Sequence, residues 1–267
     1  MAVQQAQLAP PRSFGHTARR DTWWVQSAVT FVVFTTFIIY STWAAFQNRN
    51  FEFHNYLSPF YSPLLFGDSP HALLGTSPPW WPSFMPYSAA FLILWAPGGF
   101  RFTCYYYRGA YYKAFWADPP GCAVGEPRNS YLGERFFPLI IQNIHRYFLY
   151  LALVFLIFLS WDVVKATQFT DAAGQTHFGI GVGTLVLATN VVLLSGYTFG
   201  CHSLRHAVGG YLDRIARRPV RRALYHTACK FNRAHMRWAW ASLFGVGLAD
   251  LYVRLCAAGV ITDLRLF

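Results

Sequence analysis

Charge is what this sequence has least of. Only 12% of its 267 residues are Asp, Glu, Lys or Arg, while 54% are hydrophobic and 19% aromatic. A soluble domain carries about a quarter charged residues, so the composition turns away from soluble folds and toward a membrane class. Five cysteines stand at 104, 122, 201, 229 and 256, and no two make a C-x-x-C pair. That spacing argues against an iron–sulfur or zinc site built from this chain alone, and there is no C-x-x-C-H for covalent haem attachment. Gly-rich nucleotide loops, Ser/His/Asp arrangements, low-complexity tracts and obvious internal repeats are also missing. With no segment of more than about 30 residues between the apolar runs on the basic side, no soluble catalytic domain is left over.

What is present is a set of long apolar runs. A helix needs roughly 20 mostly apolar residues to cross a bilayer, and five such spans are read at about 23–46, 83–107, 136–161, 177–204 and 235–258. The first run, at 24 residues, is too long for a signal-peptide core and lacks a small-residue cleavage site. The expected architecture is an all-α integral membrane protein: a tail over 1–22, then a five-helix bundle over 23–267 forming one anchor domain. Lys and Arg alternate between the gaps, 17 on one side against 4 on the other. By the positive-inside rule the N-terminus and the two basic loops are cytoplasmic and the C-terminus lies outside. The +11 formal charge is therefore explained by topology, and nucleic acid is not an expected partner.

Histidine depth carries the chemistry. Counting back from Trp161 puts His145 about one helical turn inside the cytoplasmic boundary. The fourth span ends, and the fifth begins, at the same level, which adds His202, His206 and His235. His202 and His206 are i, i+4 on one helix face, so they are alternatives for a single axial position on a haem. The partner then comes from across the bundle, from His145 or His235, as cofactors are held between facing helices. Haem b with two imidazole ligands is the expected group, and Arg146, Arg205 and Arg237 stand ready for its propionates. At the outer side His54 and His177 are candidates for a second haem. Asp250 and Arg254, also i, i+4, are read as an ion pair rather than a proton path. The basic stretch between the fourth and fifth spans is suited to anionic lipid or an acidic partner.

Two stretches, RFTCYYYRGAYYKAFWADPPGCAVGEP (101–127) and RFFPLIIQNIHRYFLY (135–150), with GCHSLRH (200–206), resemble the single-chain, five-helix cytochrome b membrane anchor of bacterial succinate dehydrogenases. The resemblance implies a subunit of succinate:quinone oxidoreductase that passes electrons from an iron–sulfur subunit through one or two haems b to menaquinone or ubiquinone. It also implies a flavoprotein partner and allows a higher oligomer in the bacterial cytoplasmic membrane. The family's ligand role carries over to His145, His206 and His235, with His202 as rival on the fourth helix. Tyr106, Arg108 and Trp116 are the implied quinone or docking residues. Unlike di-haem members, this chain has no histidine in its first two spans. Other readings are the cytochrome b subunit of a different membrane dehydrogenase, a small transporter or channel, and an anchor without cofactor.

Overall fold

The computed structural model describes residues 13–267 apart from 77, 79, 83, 85, 129–135, 138 and 172. Most of the expected tail (1–12), Arg135 in a basic loop and two positions at the start of the second expected span lie outside the described residues. Among the described residues, four helical segments are long and apolar enough to cross a membrane: Val25–Gln47, Ile140–Lys165, Val182–Phe199 and His235–Ala257.

Helix α1 (Val25–Gln47) buries only Ala44 and Ala45; Val29, Val32, Ile38, Ile39 and Phe46 face outward. A helix that is apolar all round suits lipid on one side and a bundle on the other. The second expected span is a broken helix. It runs as α2 (Ala89–Ile93) and α3 (Trp95–Phe102), then restarts as α4 (Tyr105–Tyr111) and a π turn over Tyr112–Trp116. The break at Leu94 has a cause: Pro97 has no N–H to give the carbonyl of Ile93, and its ring crowds that carbonyl.

The third segment begins as a 3-10 turn, Leu139–Ile144, and continues as α5 (His145–Lys165). Two short antiparallel hairpins, β1–β2 (Glu52–Phe53 with Tyr56–Leu57) and β3–β4 (Gln168–Thr170 with Thr176–Phe178), lie at the far end from His145. His177, expected within the fourth span, sits in β4; α6 (Val182–Phe199) starts five residues later. Asp263 sets that start by accepting the Gly183 N–H at 2.9 Å, as a carboxylate does at a positive helix end. After α6 come α7 (His202–Gly209), the amphipathic α8 (Pro219–Arg233) and α9 (His235–Ala257).

The core is a bundle in which α6 packs chiefly on α9 and α5, and α3 on α5. Small residues permit the close crossings: a Cβ on Gly99 would overlap the Phe148 ring, and one on Gly196 the Trp238 ring. At the far end Asp250 and Arg254 form the expected ion pair at 2.8 Å. Tyr40 donates to Asp250 at 2.6 Å, Ser58 donates to it as well, and Arg254 also donates to the carbonyls of Ala44 and Arg49. A buried pair with every group satisfied is a structural tie, linking α1, the β1–β2 segment and α9.

Candidate functional site

Helix ends build the site. α3 ends at Phe102 and α6 at Phe199, and each chain then extends through one cysteine that caps the next short helix. Cys104 (φ −64°, ψ 130°) and Cys201 (φ −65°, ψ 137°) have nearly the same backbone. Each N–H bonds the carbonyl three residues back at 3.2 Å. Facing them, His145 and His235 are the first residues of α5 and α9.

The two halves repeat one another. Gly99-Phe100-Arg101-Phe102-Thr103-Cys104 with Arg108 matches Gly196-Tyr197-Thr198-Phe199-Gly200-Cys201 with Arg205, as G-[FY]-x-F-x-C-x-x-x-R. The aromatic ring four residues before each cysteine stacks on the histidine of its own half. Phe100 lies on His145 (4.7 Å, 5°) and Tyr197 on His235 (5.1 Å, 15°). Each imidazole then meets the thiol of the opposite half: His145 Nε2 is 3.2 Å from Cys201 Sγ, and His235 Nε2 is 3.6 Å from Cys104 Sγ. This repeat, not evident from periodicity, is the signal that exposes the two cysteines.

Hydrogen bonds fix one tautomer. The Thr103 hydroxyl donates to Gly99 O at 2.7 Å, so its oxygen accepts from His145 Nδ1–H at 2.8 Å. Nε2 is then left with a lone pair aimed into the site, the form in which imidazole ligates metal. Cys201 Sγ accepts the Ser203 N–H at 3.3 Å, the kind of contact that stabilises a thiolate.

A cavity of about 210 Å³ is lined by all four donors together with Arg108 and His202. A second, of about 930 Å³, shares Tyr105, Tyr106, His202 and His235 with it and extends past Trp240 to the start of α1. Across that boundary Trp240 Nε1–H donates to Tyr106 Oη at 2.7 Å.

The remaining expected residues divide clearly. His202 lines both cavities; desolvation and the neighbouring Arg205 hold its pKa below the ordinary imidazole range. His206, one turn on, is exposed and lines neither. Arg146 lines the smaller cavity, while Arg205 and Arg237 line none of those described. Tyr106 lies in both cavities and Arg108 in the smaller, stacked 4.2 Å over Tyr105. Trp116 packs on Tyr111 and Tyr112 outside them. At the far end His54 faces an outer cavity with Phe169 and Arg265. His177 instead bonds Asp171 at 3.0 Å on the exposed β3–β4 hairpin; the two histidines share no cavity among the described residues.

The residues do not suit a haem held between two imidazoles. Both Nε2 atoms face thiols, both rings are covered by aromatics, and the space between them is about 210 Å³, where even drug-sized ligands take ~300–1,000 Å³. Among the described residues no three His, Cys, Asp or Glu side chains converge on one ion-sized point. The four donors instead form two thiol–imidazole pairs around one space.

Long apolar helices that gather thiols and imidazoles at one end define a multi-pass membrane subunit with a buried donor cluster. The family is identified directly: a model of the actinobacterial succinate dehydrogenase subunit SdhC matches residues 25–259, and the chain belongs to that family. It is thus a membrane subunit of succinate dehydrogenase. Among solved structures it is similar to a chain of the Mycobacterium smegmatis Sdh1 complex in the apo form. Identity is 38% over 99% of this chain and 98% of that one, with a TM-score of 0.85. No curated protein sequence matches it.

Proposed function

We propose that this subunit carries electrons from succinate oxidation to quinone through a metal centre held by Cys104, Cys201, His145 and His235. Two thiolates and two imidazoles are a donor set for zinc or an iron–sulfur cluster. Zinc has no redox chemistry, so an electron-transfer subunit favours iron and sulfide, and two thiol–imidazole pairs around one space favour two metal atoms over one. Rieske centres use two cysteines on one iron and two histidines on the other. The centre, when bound, supplies a one-electron relay. This chain's residues hold it, exclude water from it through Phe100 and Tyr197, and fix the His145 tautomer through Thr103. In this reading an iron–sulfur centre takes the place of the haem b expected from the sequence.

The observation that carries the reading is the meeting of all four donors in one cavity that adjoins a larger one. That larger cavity, within the ~300–1,000 Å³ range of ligand pockets, is the proposed site for menaquinone or ubiquinone, with His202, Tyr106 and Trp240 around its headgroup. The iron–sulfur and flavoprotein subunits would dock at the same, cytoplasmic, end, beside the basic loops and α8. That orientation and five membrane crossings, with α2–α3 as the second, rest on the Lys/Arg asymmetry.

Cys201→Ala in the assembled complex tests the reading. Electron flow from succinate to a soluble dye, which needs only the peripheral subunits, stays near wild type, while succinate-driven quinone reduction falls to background. Unchanged quinone reduction in Cys201→Ala would refute the role given to the cluster.

A further inference from the structure

Arg101 is the only charged residue of α3, and no described carboxylate pairs with it. Its guanidinium donates to three neutral acceptors: Tyr107 Oη at 2.8 Å, Ser242 Oγ at 3.0 Å and the Ala239 carbonyl at 3.3 Å. It also sits over the Tyr197 ring at 4.9 Å, and that ring is the one stacked on His235. Hydrogen bonds to neutral groups satisfy its N–H donors but leave its charge uncompensated, which is costly inside a membrane and marks a functional residue.

The internal repeat sharpens the point. Three residues before Cys104 stands Arg101; three before Cys201 stands Thr198. The same backbone forms in both halves, so the fold does not need a cation at this position. One half carries it, and it lies one aromatic layer from His235. A further asymmetry sits on the same side: the Tyr197 hydroxyl is buried without a partner among the described residues, and Cys104 is its neighbour.

We infer that Arg101, acting across Tyr197, is an electrostatic positioning residue that stabilises the reduced state of the redox centre and so sets its midpoint potential. The inference rests on the centre proposed above. One electron enters from the reduced iron–sulfur subunit and leaves to quinone; no bond forms or breaks and no proton is required. The reduced centre is one unit more negative than the oxidised one, and a fixed positive charge at this range favours it. The same charge draws the electron toward the His235 side, which adjoins the quinone-sized cavity.

The test is a potentiometric titration of the centre's electron paramagnetic resonance signal in the purified complex. Arg101→Gln lowers the reduced-to-oxidised ratio at fixed potential by about tenfold, equivalent to about 59 mV for one electron. Arg101→Lys, which keeps the charge but not the fork of hydrogen bonds, stays near wild type. No fall in Arg101→Gln, or an equal fall in Arg101→Lys, overturns the inference. Should Arg101→Gln fail to assemble, Ser242→Asp places a carboxylate against the intact guanidinium and must produce the same fall; an unmoved potential there overturns it equally. A wild-type complex with no such signal would instead defeat the metal-centre reading, and this inference with it.

Discussion

His145 and His235 occupy equivalent positions but are not equally held. Thr103 takes the Nδ1–H of His145, while its counterpart is Gly200, where a Cβ would sit 3.1 Å from His235 Nδ1. That nitrogen is buried without a partner among the described residues. One imidazole is locked and the other has no side chain to lock it. Thr103→Val keeps the shape and removes the acceptor, so it leaves a buried N–H unpaired at a cost of about 1–3 kcal/mol. The expected outcome is a lower thermal midpoint and reduced iron content in the purified complex, with Thr103→Ser near wild type. Equal iron and equal melting in Thr103→Val would show that the bond does not hold the ligand. At this scale the common level of His145, His202 and His235, which line one cavity, was legible from span counting alone. The preference for His206 over His202 came with the family resemblance; the chain breaks at Gly200–Cys201, and α7 restarts with His202 lining both cavities. The cysteines were illegible by local spacing because each partner thiol comes from the other half of the chain. Among the described residues only the folded bundle brings them within reach of the two imidazoles.

Elements were legible wherever no proline or chain reversal interrupted a mostly apolar run. The expected spans 23–46 and 235–258 correspond to Val25–Gln47 and His235–Ala257, because nothing in those runs interrupts a helix. The expected span 83–107 hid two interruptions: Pro97 breaks the helix at Leu94, and Thr103–Cys104 ends it. Hydropathy sums over such breaks and cannot see them. The span 177–204 was too long at both ends, since β4 claims its start and the cysteine cap its finish. Glycine at the crossings is an element-scale requirement. Gly196→Ala pushes a methyl into the Trp238 ring, and overpacking of this kind costs about 1–3 kcal/mol. The melting point of the complex should fall accordingly, and Trp238→Leu in the same chain should recover part of the loss, because the two sites are in contact. Full additivity of the two changes would place the strain elsewhere.

Across the whole molecule, polar chemistry is sorted to the two ends. The far end is closed by satisfied structural groups: the Asp250–Arg254 pair with its four donors and acceptors, and Asp263 joining Tyr56, Tyr252 and the start of α6. The other end keeps four potential metal ligands, an uncompensated guanidinium and a large cavity side by side. Composition was enough to identify a membrane protein, and span counting to gather His145, His202 and His235 at one end of the bundle. It was not enough to identify the centre: the missing C-x-x-C pair argued against an iron–sulfur site, whereas Cys104 and Cys201 meet the imidazoles only across the bundle and leave no such spacing in the sequence. The central claim is therefore tested most directly by spectroscopy of the dithionite-reduced complex. The account predicts an iron–sulfur paramagnetic signal beyond those of the peripheral subunits, lost in Cys104→Ala and His235→Ala, and no haem absorption band. A haem b band that disappears in His145→Ala or His235→Ala, with no such additional signal, would contradict it.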